Sequence, residues 1–186
     1  MIKRLAVLFA SVLTIGLFVS VRGAGQSGRA TIWDGVYTAE QAESGAALMG
    51  QCRGCHGANM DGGQAPALRG EKWLDYWRED TIDSMYSLIK GSMPPRAASQ
   101  MTESQALSLV AYILQANDLP AGNTALGVGA LHAIHVEGRS GPQPLPNYAV
   151  VQIVGCTAKG EGEVWNIVSS SEPVRARNAG RASDSV

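Results

Sequence analysis

Three stretches of the chain set small or apolar residues at the spacing of a helix, and each carries its own start and stop signals. The first follows Thr38 and aligns Ala42, Gly45, Ala46, Leu48 and Met49. Thr38 is a good N-cap, and Gln41 stands three residues on, the spacing of a capping box. The second begins near Asp80 or Thr81 and carries Ile82, Met85, Tyr86, Leu88 and Ile89. It should stop near Gly91, because Pro94 and Pro95 cannot continue a helix. The third has the clearest stripe: Ala106, Leu107, Leu109, Val110, Ile113 and Leu114, opened by Thr102 with Gln105 and closed by Asn117 and Pro120. Between the first two, Gly57 to Gly70 is rich in Gly, Ala and Pro and reads as loop. Beyond Gly122 the composition turns to Gly, Pro and Ser as far as Pro146. Tyr148 to Val154 and Glu163 to Val168 are then rich in β-formers on either side of a Gly-rich turn, which predicts a hairpin. A hairpin alone is marginal, so this one needs something to pack on.

The first residues follow a different rule. Lys3 and Arg4 precede an unbroken apolar or small run from Leu5 to Val21, and Gly23, Ala24 and Gly25 offer small residues for cleavage. This is the layout of an export signal over residues 1–25. No clean A-x-A triplet is present, so retention as an N-terminal anchor stays open. In either case the rest of the chain is expected outside the cytoplasm, in the periplasm. Both phenylalanines, Phe9 and Phe18, belong to this segment. The remaining chain, with no Phe, is short of large apolar side chains for a core, and a porphyrin would fill the space.

The candidate chemistry lies where the first helix ends, at Cys52-Arg53-Gly54-Cys55-His56. C-x-x-C-H is the attachment signature of c-type haem. On one helical turn, residues three and four apart share a face, so two sulfurs and an imidazole can address one porphyrin. Cys52 and Cys55 would form thioethers, and His56 would take the proximal position on iron. A redox C-x-x-C pair would want a βαβ setting, whereas helices flank this one. Zinc would need His132 and His135 to complete the set, but they lie far downstream and are spaced H-x₂-H. A disulfide between neighbours on one helical turn rarely meets the required geometry. For the sixth ligand the candidate is Met93, in Gly91-Ser92-Met93-Pro94-Pro95, where the prolines stiffen the loop before the last helix. Met101 is its competitor in the same loop; Met49, Met60 and Met85 read as core filler.

Thr38-Ala39-Glu40-Gln41, Cys52-x-x-Cys55-His56-Gly57, Pro66-Ala67-Leu68-x-Gly70, Met93-Pro94 and Thr102 through Leu114 together resemble a monohaem class I c-type cytochrome. The resemblance covers about half the chain, roughly Trp33 to Gly122. It implies an all-α fold around one covalent haem c, here a cytochrome domain over residues 31–121 whose first and last helices cross at Gly45 against Tyr112. It also implies that the Pro66 carbonyl takes the His56 imidazole N–H, which would fix the tautomer. Trp73 and Trp77 would line the haem edge, approach a propionate, or simply pack. Residues 122–186 form an extension with no assigned chemistry. Its Cys156 is odd in an oxidising compartment, and burial is expected rather than an intermolecular bridge.

Charge narrows the partners. Thr31 to Pro120 holds 6 basic and 11 acidic residues, and the rest, from Ala121, balances at 5 and 5 with Arg175, Arg177 and Arg181 near its end. A nucleic-acid binder would be basic, so that class is excluded. Contact with a membrane would come only from a retained N-terminal segment. The reading is an electron carrier and not an enzyme. The resemblance includes cytochromes that serve quinoprotein dehydrogenases, which makes an exported dehydrogenase the donor and a terminal oxidase or another cytochrome the acceptor. Two rivals are a ligand-binding or peroxidatic haem protein with a labile sixth position, and a haem subunit docked on a larger complex through residues 122–186.

Overall fold

The computed structural model describes residues 29–95, 100–145 and 147–177. The segment read as an export signal lies outside them, as does Arg181. Five α-helices come first: α1 (Ala39–Leu48), α2 (Arg53–His56), α3 (Glu71–Trp77), α4 (Ile82–Ser92) and α5 (Glu103–Ala116). None of the helices among the described residues is long and apolar enough to cross a membrane. Thr38 caps α1 by accepting from the Gln41 N–H at 3.3 Å. The return half of the expected box is not made. The Gln41 amide instead holds the Leu126 backbone from both sides, donating to its carbonyl at 2.9 Å and accepting its N–H at 2.8 Å. At Thr102 both halves of the box are present.

α1 and α5 cross as expected. A Cβ on Gly45 would fall on the Ser108 carbonyl and lie 2.8 Å from the Tyr112 Cβ, so only glycine lets the two backbones meet. α5 buries Ala106, Leu107, Leu109, Val110, Ala111, Ile113 and Leu114, and α4 adds Ile82, Met85 and Ile89 to the same core. α3 is an element that the apolar pattern did not announce. It inserts Trp73 and Trp77, one turn apart, into that core.

The chain beyond the helices divides in two. Leu126, Leu131, Ile134 and Val136 are buried in the core formed by the helices. Their segment runs through a 3₁₀ turn (Val128–Ala133) into a short strand, Ile134–His135, which pairs in parallel with Ala30–Thr31. We number these strands β2 and β1. Farther on, β3 (Val151–Gln152) pairs with β6 (Val174–Arg175), and β4 (Cys156–Lys159) pairs with β5 (Trp165–Val168), both antiparallel. A hairpin is therefore present, with one strand other than expected: Cys156–Lys159 faces Trp165–Val168, and the run from Tyr148 gives only Val151–Gln152, to another partner. Cys156 is exposed, against the expectation of burial, because a two-stranded ribbon has no second layer to cover it.

Arg177 fastens the end of the described chain to the helices. Asp80, fully buried, accepts from Arg177 Nε at 2.7 Å, from the Thr81 N–H at 2.8 Å and from Ser84 Oγ at 2.6 Å. The same guanidinium lies 4.1 Å from the ring centre of Tyr76 and 4.6 Å from that of Trp77.

Candidate haem-attachment site

α1 delivers the chain to the site through a 3₁₀ turn, Met49–Gln51, after which Cys52 caps the single turn of α2. The Cys52 carbonyl accepts from the N–H groups of Cys55 at 3.2 Å and His56 at 3.0 Å, so the two sulfurs and the imidazole share one turn. Cys52 and Cys55 form no disulfide; Cys52 is half-buried and Cys55 exposed. Burial pushes the Cys52 thiol above its usual pKa.

The loop after α2 is built to return to it. Ala65 donates its N–H to the Cys55 carbonyl and Gly62 to the His56 carbonyl, each at 2.9 Å, satisfying the last carbonyls of the turn. Gly57 sits at φ +87°, and a Cβ there would meet the Gly62 carbonyl at 2.5 Å. Glycine after the histidine is thus a requirement of the loop. This closure carries Pro66 over the histidine, where its carbonyl lies 2.6 Å from His56 Nδ1. A carbonyl can only accept, so Nδ1 bears a proton, and in the neutral ring the lone pair is then on Nε2. That is the tautomer a metal-ligating imidazole needs.

Asn117 holds the far end of the loop. Its Oδ1 accepts from the Gly70 N–H at 2.8 Å, and its Nδ2 donates to the carbonyls of Leu68 at 3.0 Å and Ile113 at 2.8 Å. Sequence reasoning saw Asn117 only as a helix stop. The side-chain bonds span 47 and 49 residues and leave no local signal.

Met93 is the first residue after α4, half-buried, with its N–H on the Ile89 carbonyl at 3.1 Å. Met101 is 7% exposed and lies in the core cluster. The two tryptophans separate clearly. Trp77 is packed beneath Arg177 and edge-on to Tyr76, 5.1 Å between ring centres. Trp73 is 2% exposed and its Nε1–H finds no acceptor among the described residues. A buried unpaired donor is costly, and a carboxylate such as a haem propionate would satisfy it. Two thiols, one imidazole in the metal-ligating tautomer and one orphan donor all suit a covalent haem.

Residues 40–113 match the family model described as "Cytochrome C oxidase, cbb3-type, subunit III". The match supports a c-type cytochrome over this stretch. Its cofactor is covalently bound haem c. The match takes in α1 through most of α5 and stops short of the C-terminal strands. No curated protein and no solved structure matches the chain.

Proposed function

We propose that the protein is a single-haem electron carrier of the periplasm, taking one electron at a time from an exported dehydrogenase or respiratory complex. Haem supplies an iron that passes between its ferrous and ferric states. Cys52 and Cys55 would anchor it by thioethers, and His56 Nε2 and Met93 would hold the iron. The observation that carries this reading is the 2.6 Å contact of His56 Nδ1 with the Pro66 carbonyl, which leaves the other ring nitrogen available to a ligand. The Trp73 N–H, buried without an acceptor among the described residues, would offer a propionate a hydrogen bond. Asn117 keeps the Pro66 loop in place and so positions His56. A thioether ligand favours the reduced iron and raises the potential. An exported quinoprotein dehydrogenase is the donor we favour, with a terminal oxidase or another cytochrome as acceptor.

Mass spectrometry of the denatured polypeptide tests attachment, with an added mass of one haem that acid acetone does not extract as the expected result. Extractable haem would overturn the thioether assignment. For the sixth ligand, Met93→Ala should turn a low-spin spectrum into one that accepts cyanide readily, with a lower potential. Met101→Ala should leave the iron spectrum unchanged. If Met101→Ala alone opens the sixth position, the two methionines exchange roles.

A further inference from the structure

Of the twelve large apolar side chains exposed among the described residues, nine lie between Tyr148 and Val168. Scattered apolar residues on a surface are ordinary, but a concentration of this kind marks a surface that another molecule covers. The ribbon is the centre of it. In the observed register Trp165 stands opposite Lys159 and Ile167 opposite Thr157, so these four share one face. Trp165 is 65% exposed and Ile167 55%. The other face pairs Val168 with Cys156. Among the described residues neither strand has another neighbour, so both edges of the ribbon are open there as well.

Charge decides what fits. Both arms, from Tyr148 to Ala158 and from Val164 to Ser171, carry no charged side chain. The tip between them has Lys159 against Glu161 and Glu163, and the helical domain is acidic, with 11 acids to 6 bases. An anionic lipid surface is repelled by both, and the ribbon lacks the cationic rim that lipid-binding elements use. A second copy would bring two acidic domains together. A different protein with an uncharged apolar patch set in a basic surface meets both conditions at once.

We propose that the β4–β5 ribbon is a docking surface for such a protein, with Trp165 and Ile167 as its anchors. That this protein also exchanges electrons with the haem rests on the function proposed above. The ribbon grips, and the acidic helical domain steers. Aromatic anchors at the centre of an interface carry most of its affinity, and marginal ribbons gain order from the partner that covers them.

The test uses the full-length holoprotein in its native host, with a photo-crosslinking amino acid in place of Trp165. The attached species is identified by mass spectrometry, purified, and titrated against wild type and the Trp165→Ser/Ile167→Ser double variant. The expected species is a different, basic protein, bound at least about tenfold more weakly by the double variant. Leu88→Ser, an exposed apolar change on α4, should leave affinity unchanged. The association rate should fall with added salt in both wild type and double variant, because steering resides outside the ribbon. The haem spectrum and the melting temperature of the double variant serve as folding controls. Crosslinks confined to a second copy or to lipid, or equal affinity for wild type and double variant, would overturn the proposal. A partner that binds through the ribbon yet passes no electron in stopped-flow mixing overturns the electron-carrier reading and leaves the docking surface standing.

Discussion

α5 and the β4–β5 ribbon are both apolar stretches, and the structure treats them in opposite ways. α5 buries eight of its fourteen residues between α1 and α4. In β5 all four residues are exposed, including Trp165 and Ile167. Periodicity separates the two. α5 confines its apolar side chains to a stripe, which one neighbouring layer can cover. The ribbon is apolar on both faces, and the other described residues cover neither. Apolar content alone therefore says that a surface will be buried; its distribution says whether the cover is internal.

Substitutions should rank along that contrast. The largest effect is expected where the C-terminal strands meet the helices. Arg177→Ala leaves the fully buried Asp80 without its cation and should cost roughly 4 kcal/mol, read by urea unfolding. A cost under about 1 kcal/mol would show that water or another donor replaces the guanidinium. Within α5, Leu109→Ala opens a cavity at a 2% exposed position and should cost about 3 kcal/mol. Thr102→Ala removes one half of the capping box at the start of the same helix and should cost about 1 kcal/mol.

A smaller effect follows from pH. Burial, with Arg29 adding to it, holds His135 below its usual value of 6.5. Folding therefore favours the neutral ring, and the stability linked to it is complete above 6.5 and lost as pH falls toward the folded value. Glu79 runs the other way, raised chiefly by burial, so only a comparison isolates the histidine. Between pH 7.5 and 5.5 the melting temperature of His135→Gln should fall less than that of wild type. Equal slopes would mean that protonated His135 is accommodated in the folded protein. Least affected of all should be Ile167→Ser, within about 0.5 kcal/mol for the isolated protein. A large loss there would mean that the ribbon is core, and the contrast with α5 would fail.

How far the sequence was legible depends on whether a feature is local. Thr38, Thr102 and the C-x-x-C-H turn announce themselves within a few residues, and the structure places each as expected. The Gly45–Tyr112 crossing and the bond from His56 to Pro66 were reached through family resemblance, and both are present. α3 was missed because it is short, starts after Gly70 without a side-chain cap, and shows only the Trp73–Trp77 spacing. Gln41 fits a capping box locally, but its amide is taken by Leu126, 85 residues away. The ribbon was misplaced because β-branched residues say which segments extend and not which segments pair. Cys156 was misjudged because cysteine is usually inside, and nothing in its neighbours reveals a ribbon with no second layer.

The pairing of Ala30–Thr31 with Ile134–His135 sets a timetable as well as a topology. A parallel pair joined across about a hundred residues cannot form while the chain is still growing through its helices. Throughout synthesis the first strand waits without a neighbour, and α1, with the two thiols behind it, is already present before the fold can close. Arg177 reaches Asp80 later still, and until then Asp80 has no cation from it. A chain that ends before Ile134 should accordingly leave an open intermediate, with its amino-terminal strand unpaired.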